Sequence, residues 1–324
     1  MGLTLKNPII IGSSGLTDKP EKIKDLETKG AGAVVLKSIF EEEIMAEAEH
    51  KIKSAEQDKY MYSQFSETFD YIDMHVKSKR IEEYIDLIKE AKNQVMIPVI
   101  ASINCISSHE WTSFAKTIQD AGADALELNV FILPSDVTRK GEENEKLYFD
   151  IIEKVKKEIS IPLSLKISPY FSGLANMVSR LSVSGVNGIT FFNRFYSPDI
   201  NIETMEVTAA NVFSQPNEIY NTLRWVSLLS GKIKCDIAAS TGISSGEDVI
   251  KQLLAGASAV QIASVVYNKG SEVISEMLNE IENWMERKKF NYIAQFKGKL
   301  SQENSDHPAA FERIQFMKYF SGIN

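Results

Sequence analysis

The chain is poor in the residues that hold disulfide-rich and metal-stapled proteins together. Its 324 residues include only two cysteines, Cys105 and Cys235, and four histidines. Neither cysteine stands in a metal-ligand spacing, and the histidines are scattered. The sequence therefore predicts neither a disulfide framework nor a metal site.

An excess of basic residues and long apolar runs are missing as well. The 36 basic residues are outnumbered by 44 acidic ones, which gives a net charge of -8. The sequence therefore shows no excess of positive charge that would attract nucleic acid or an anionic membrane. No apolar run reaches the length of about 18 residues that a membrane span needs. No basic leader precedes the apolar segment 7–11. We therefore expect a cytoplasmic protein that acts on a small molecule.

One local pattern occurs four times along the chain. A helical stretch ends at a glycine, which can adopt the left-handed cap conformation, and a short apolar run follows at once. Such runs are typical of strands buried on both faces of a parallel sheet. The pattern therefore predicts repeated βα units. Its glycines and apolar runs are Gly30 or Gly32 before 34–36, Gly122 before 125–128, Gly185 before 188–191 and Gly256 before 259–262.

Eight strands are predicted in this way, which is the number that closes a (β/α)8 barrel. An open, doubly wound sheet is the alternative, but it rarely keeps eight regular repeats. The strands are expected at 7–11, 33–37, 98–103, 125–130, 163–167, 188–192, 236–240 and 259–262, and the clearest helices at 79–93, 109–120, 143–158, 217–229, 246–255 and 271–287.

Three segments exceed the minimal barrel. Residues 40–77 follow the second strand, residues 194–216 form a predicted irregular loop after the sixth strand, and residues 290–324 form a tail. Within the tail, residues 308–320 combine a proline at a first helical turn with a broad apolar stripe, which predicts a docked helix. No linker interrupts the chain, so we predict one domain over residues 1–324.

Polar residues cluster where the predicted strands end. In a barrel the carboxyl ends of the strands carry the active site, and a charged side chain there is costly unless it is paired or bound to a ligand. The loop after the seventh strand also has a glycine and opens a helix, a combination that suits a phosphate group. The strand-end residues are Ser13, Ser14, Gly15, Lys37, Ser38, Ser102, Asn104, Glu127, Asn129, Lys166, Ser168, Asn193, Ser240, Thr241, Gly242 and Ser264.

Taken together, these residues resemble the dihydroorotate dehydrogenase family, especially its class 1 branch, over residues 7 to about 300. The most specific segments are Asn7-Pro8 to Gly15, Gly32-Ala33 to Lys37-Ser38, Glu127-Leu128-Asn129, Pro162-Leu163 to Lys166, Pro169-Tyr170-Phe171 and Thr241-Gly242-Ile243 to Gln261-Ile262. The resemblance implies bound FMN, a homodimer, and the conversion of dihydroorotate to orotate in pyrimidine biosynthesis.

The resemblance and the strand ends together assign roles to individual residues. Lys166 is expected to be catalytic, beside the pyrimidine edge of the flavin, where a cation stabilises the charge of the reduced ring. Asn129, Asn193 and Tyr62 are the predicted substrate contacts. The predicted FMN-binding residues are Ser14, Lys37, Ser38, Asn104, Asn129, Lys166, Asn193, Thr241, Gly242, Ala263 and Ser264.

The sequence departs from the family where the catalytic base belongs. The family has Cys or Ser three residues after the strand-four asparagine, whereas this chain has Ile132 or Leu133 there. Ser135 or Cys105 could substitute, although neither stands in the family's position. The asparagines of the family's substrate loop are replaced at 60–66, and Gln215 and its neighbours replace a glycine-rich stretch. The flavin site is therefore predicted to be kept and the orotate site to be rebuilt.

Four functions remain open from the sequence. The first is an FMN oxidoreductase that works on dihydroorotate with an altered base. The second is an FMN-dependent reductase of another small cyclic or unsaturated substrate, with Tyr62 or water as proton donor. The third is a Schiff-base aldolase that uses Lys166. The fourth is a flavoprotein without a catalytic role.

Overall fold

The computed structural model describes residues 1–40, 66–105, 111–130, 132–195, 197–306 and 308–312. Within this part of the chain, short and mostly apolar runs form one parallel sheet, and two exposed strands form a separate hairpin. The strands are β1 (Ile9–Ile11), β2 (Ala33–Val35), β3 (Ile39–Phe40), β4 (Val99–Cys105), β5 (Ala125–Val130), β6 (Leu163–Ile167), β7 (Gly188–Phe191), β8 (Pro198–Asn201), β9 (Glu206–Ala209), β10 (Asp236–Ser240) and β11 (Ala259–Ile262).

The parallel sheet closes on itself, which confirms the predicted (β/α)8 barrel. Its order is β2-β1-β11-β10-β7-β6-β5-β4-β3, and a further pairing of β2 with β4 completes the ring. The short β3 continues the line of β2 and pairs with the far end of β4, where Ile39 lies opposite Ile103. The second barrel strand therefore runs as two segments, β2 and β3, on either side of residues 36–38.

Helices surround this barrel and follow the predicted order. They begin or end within a few residues of the predicted bounds, except that the helix before β4 starts earlier. The helices are α1 (Pro20–Thr28), α2 (Ser66–Gln94), α3 (Trp111–Asp120), α4 (Gly141–Glu158), α5 (Leu174–Ser182), α6 (Ile219–Leu229), α7 (Gly246–Ala255), α8 (Ser264–Lys269), α9 (Val273–Lys288) and α10 (Ala309–Glu312).

The interior of the barrel divides into an apolar base and a polar upper half. Along β5, Leu126 and Leu128 pack outward into the main core with the helices, while Ala125 belongs to a small inner cluster at the base. Met1, Leu3 and Leu5 pack against that inner cluster and cover the base. Because successive strand residues alternate in direction, Glu127 and Asn129 point into the barrel with Ala125. The polar half of the interior therefore lies toward the carboxyl ends of the strands.

The insertions differ in how far the structure describes them. Residues 194–216 contain an exposed antiparallel hairpin of β8 and β9, so the prediction of an irregular loop is wrong. Asn201 stabilises its turn, because the side-chain oxygen accepts hydrogen bonds from the backbone of Glu203 and Thr204 at 3.0 and 3.2 Å. Of the insertion at 40–77, residues 41–65 lie outside the described residues. The tail helix begins as α10, and its continuation beyond residue 312 also lies outside them.

Candidate active site

One cavity of about 460 Å³ opens at the carboxyl ends of the barrel strands. Its volume falls in the range of ligand pockets, about 300–1,000 Å³. Eight of the predicted site residues line it: Asn104, Asn129, Lys166, Asn193, Thr241, Gly242, Ala263 and Ser264. Ser13 and Ser240, which the sequence also places at strand ends, line it too, and the remaining lining residues are Gly12, Phe40, Phe192, Arg194, Ser214, Ile243, Gln261 and Ile262.

Lys166 projects from β6 into the cavity, and its ammonium makes one hydrogen bond within the described residues. Its ammonium donates to Gln261 Oε1 at 3.0 Å. The amide nitrogen of Gln261 donates in turn to Glu127 Oε2 at 2.6 Å. Burial lowers the pKa of Lys166 below its ordinary value, and the charge of Glu127 acts in the opposite direction. The two remaining N–H groups of the ammonium are available to a ligand.

Two asparagines bring unpaired acceptors to the same cavity. The side-chain oxygens of Asn104 and Asn129 are buried and have no hydrogen-bond partner in the described part of the chain. A buried acceptor without a partner is unfavourable, so such groups often mark where a ligand donor binds. The two residues lie opposite each other in the register of β4 and β5. The cavity therefore offers paired amides next to the lysine.

The loop after β10 is held in a strained backbone conformation beside the cavity. Thr241 has a φ of 77° and Gly242 a φ of 74°. A Cβ on Gly242 would lie 2.3 Å from the backbone nitrogen of Ile219, so only glycine fits there. The hydroxyl of Ser264 accepts a hydrogen bond from the backbone of Ser214 at 3.0 Å and ties this region to the insertion after β7. Gly242 is therefore required where this loop passes close to the start of α6.

Arg194 is a lining residue that the sequence analysis missed. Its side chain pairs with Glu218 at 2.9 Å and donates to the backbone carbonyls of Asn211 and Val212 at 2.7 and 2.8 Å. The one signal in the sequence for its role was that Arg194 directly follows Asn193, a predicted site residue. Its hydrogen-bond partners lie 17 to 24 residues further along the chain, so no local pattern shows them. Arg194 therefore anchors the insertion to the wall of the cavity.

Three predicted FMN ligands do not line the cavity. Lys37 is exposed and lies with Ser38 in a second cavity of about 220 Å³. The hydroxyl of Ser38 is hydrogen-bonded to Ser13 at 2.9 Å and to Ser102 at 2.7 Å. The hydroxyl of Ser14 donates to the backbone carbonyl of Gly12 at 3.1 Å. Their contact with a cofactor stays a prediction.

The segment after Asn129 contributes no proton acceptor to the cavity. Ile132 lines a separate cavity of about 230 Å³, and Leu133 is 53% exposed. Ser135, the predicted substitute base, is exposed and does not line the main cavity. Tyr62, the predicted substrate contact, lies outside the described residues. Among the described lining residues, Lys166 and Arg194 are the ionisable side chains.

Further features of the described residues bear on ligand and membrane contacts. No group of three or more His, Cys, Asp or Glu side chains is arranged for a metal ion within them. Across the same ranges, no helix combines the length and the apolar character needed to cross a bilayer.

A closed parallel barrel with a polar cavity at its carboxyl end defines a (β/α)8-barrel enzyme. The family model described as dihydroorotate dehydrogenase matches residues 1–285. The chain therefore belongs to the dihydroorotate dehydrogenase family and is an oxidoreductase.

Relatives from three organisms agree with this assignment. A dihydroorotate dehydrogenase B (NAD(+)) catalytic subunit from Thermoplasma volcanium is 26% identical over 308 residues, 92% of this chain and 95% of its own length. The protein of the same name from Methanocaldococcus jannaschii is 27% identical over 295 residues, 88% of this chain and 91% of its own length. A dihydroorotate dehydrogenase A (fumarate) from Lactococcus lactis is 26% identical over 236 residues, 67% of this chain and 74% of its own length.

Proposed function

We propose that the chain is an FMN-dependent oxidoreductase that acts on a CH–CH bond of a small cyclic substrate, with residues 1–324 as a single FMN-binding domain. The observation that carries the proposal is the convergence of Lys166, Asn104 and Asn129 with the Thr241-Gly242 loop on one cavity. A lysine, two amides and a small-residue loop at the strand ends match the polar groups of a flavin nucleotide.

The donors and acceptors of the cavity fit the polar edge of a flavin ring. That edge carries carbonyl oxygens, which need donors, and one N–H group, which needs an acceptor. Lys166 supplies two free N–H donors, and the unpaired oxygens of Asn104 and Asn129 supply acceptors. Gly242 follows β10 and Ser264 follows β11, and both residues line the cavity. Barrels of this class commonly bind phosphate after these two strands.

FMN bound here would supply the hydride chemistry, and the chain's own residues would do the rest. Lys166 would hold a positive charge against the ring edge, where reduction places negative charge. Asn129 and Asn193, which also line the cavity, would orient the substrate ring by hydrogen bonds. These roles are assigned from position and chemistry.

The lining of the cavity favours a substrate other than dihydroorotate. Oxidation of dihydroorotate requires a base that removes a carbon-bound proton while hydride leaves. Ile132 and Leu133 cannot accept a proton, and no carboxylate, histidine, cysteine or tyrosine lines the cavity among the described residues. The serines that line it, Ser13, Ser214, Ser240 and Ser264, stand outside the segment after β5, where the family has its base. A reductase needs a proton donor instead, and water can serve as one. Reduction of another small unsaturated ring is therefore the second function that we propose.

The purified protein is expected to be yellow and to bind one FMN per chain. Asn129→Leu should weaken FMN binding about tenfold, because it removes a cavity acceptor worth roughly 1–1.5 kcal/mol. Titration of FMN fluorescence measures both affinities. Tyr148→Phe is the matched control, since Tyr148 lines the neighbouring cavity with Ile132. A colourless protein that does not bind added FMN would contradict the proposal.

We also propose a homodimer that forms through the hairpin of β8 and β9. Ile200 and Val207 are cross-strand partners on one face of this hairpin and are 66% and 72% exposed. Ile202 and Met205 extend the apolar surface around the turn. An apolar surface of this kind marks an interaction site, and a self-complementary twofold contact is the commonest solution in soluble oligomers.

The double change Ile200→Asp with Val207→Asp is expected to convert the dimer into a monomer, because it places charges inside the apolar contact. Light scattering coupled to gel filtration measures the mass directly. Thr208→Asp is the control, since residue 208 points to the opposite face of the same strand. A dimer that survives the double change would place the interface elsewhere, and a monomeric parent protein would contradict the proposal outright.

A further inference from the structure

A buried carboxylate lies inside the barrel, directly below the candidate active site. Glu127 is 1% exposed. Its Oε2 accepts hydrogen bonds from Gln261 at 2.6 Å and from the Thr190 hydroxyl at 3.0 Å. Its Oε1 has no partner in the described part of the chain. A buried carboxylate with one oxygen unpaired is unfavourable unless a nearby positive charge stabilises it.

Gln261 connects this carboxylate to Lys166. Its side-chain oxygen accepts from the Lys166 ammonium at 3.0 Å, and its nitrogen donates to Glu127. The chemistry of the neighbours determines the orientation of the amide, because an ammonium can only donate and a carboxylate can only accept. The amide dipole is therefore aligned between the two charges. Gln261 is itself 4% exposed, so the bridge is shielded from water.

Within the described residues, Glu127 is the anion that faces Lys166. Among the residues that line the cavity there, the other charged side chain is Arg194, and it pairs with Glu218. Asn129 and Asn193 are neutral. The strands on either side of β6 are β5, which carries Glu127, and β7, which carries Thr190. The negative charge of Glu127 therefore balances the positive charge of Lys166, and the side chain of Gln261 lies between them.

We propose that Glu127 is a positioning residue for Lys166: acting through Gln261, it keeps the ammonium charged and directed into the cavity. This inference rests on the proposed function only for the identity of the ligand, FMN. The bridge itself consists of three side chains from β5, β6 and β11.

The electrostatics of Lys166 agree with this arrangement. Burial lowers the pKa of Lys166, and the charge of Glu127 raises it. A lysine with a lowered pKa is charged below that pKa and loses its proton as the pH rises through it. Without the charge of Glu127, this loss would move to lower pH. The positive charge at the ligand site would then persist over a narrower pH range than in the parent protein.

The test measures the proton on Lys166 directly, by reductive methylation of the full-length protein at a series of pH values. Mass spectrometry of the peptide that contains Lys166 gives the pH midpoint of labelling, because only the neutral amine reacts. Glu127→Gln keeps the shape and removes the charge, and its midpoint is expected to be lower by about one pH unit or more. Ser164→Ala, a buried change two residues before Lys166 on β6, is the control and should leave the midpoint unchanged.

A comparison with Glu127→Asp separates charge from packing. Aspartate keeps the charge and loses a methylene group, so its midpoint should remain near that of the parent protein. The opposite ranking, with Glu127→Asp altered and Glu127→Gln unchanged, would overturn the proposal in favour of a packing role. If Glu127→Gln does not fold, Gln261→Met breaks the same bridge. An unchanged midpoint in Gln261→Met would overturn the proposal equally.

FMN titrations form a separate arm of the experiment. Glu127→Gln is expected to lose FMN affinity at a lower pH than the parent protein, because its Lys166 loses the proton earlier as the pH rises. Failure of all variants to bind FMN would contradict the proposed function alone, because the labelling midpoints need no cofactor. Equal pH dependence in parent and variant, together with shifted midpoints, would overturn the part of the proposal that links Lys166 to FMN.

Discussion

Dihydroorotate is expected to be oxidised roughly 100-fold or more slowly by this protein than by a relative with Cys or Ser at the base position, because a positioned base contributes about 10²–10⁴-fold. Ile132 has no group that takes a proton and lines a different cavity. Leu133 is equally inert and points largely to solvent. Ser135 is exposed and lies outside the cavity lining.

A second loss acts in the same direction. The asparagines of the family's substrate loop are absent from the sequence at residues 60–66, a segment outside the described residues. Each polar group of the orotate ring that is buried without a partner costs about 1–3 kcal/mol. Substrate binding and proton removal are therefore both expected to be weakened.

The measurement is the initial rate of the FMN-loaded protein with dihydroorotate, with fumarate, a quinone and NAD offered in turn as acceptors. Ile132→Cys and Leu133→Cys are matched variants that restore a thiol at the two candidate base positions. A gain in rate in either one would support the missing base as the cause. Turnover by the parent protein near roughly 10 per second would contradict the prediction, and its loss in Ser135→Ala would assign the base to that serine.

Lys166→Met is expected to lower the two-electron reduction potential of bound FMN by about 30–65 mV. A charge-assisted hydrogen bond is worth roughly 1.5–3 kcal/mol, and about 30 mV corresponds to about 1.4 kcal/mol for a two-electron couple. The sign follows because the ammonium stabilises the reduced ring, which carries more negative charge. Equilibration with a reference dye measures the potential of the parent protein and the variant.

Lys166→Arg serves as the control for this experiment. It keeps the positive charge, so its potential should remain closer to that of the parent protein than that of Lys166→Met. Far-ultraviolet circular dichroism verifies that each variant is folded. An unchanged potential in a folded Lys166→Met variant would remove this lysine from the chemistry of the site. It would leave the fold and the family assignment untouched.

Much of the barrel could be predicted because its repeats are local. Each predicted helix end at Gly30, Gly122, Gly185 and Gly256 has a positive φ, between 98° and 118°. The need for glycine at such a turn depends on a few neighbouring residues, so the sequence shows it directly. The apolar runs after these turns became β2, β5, β7 and β11, as predicted. The hairpin at 198–209 was missed because its apolar residues face solvent and make no core pattern.

The sequence by itself determined that polar side chains stand at the strand ends, since strand ends and residue types are both local properties. Only the tertiary structure decided which of them share a cavity. Lys37 and Lys166 look equivalent in the sequence, yet Lys37 is exposed beside a second cavity while Lys166 lines the first. The bridge from Lys166 through Gln261 to Glu127 joins positions up to 134 residues apart. Closure of the barrel and the register of its strands bring them together, and no local pattern encodes either.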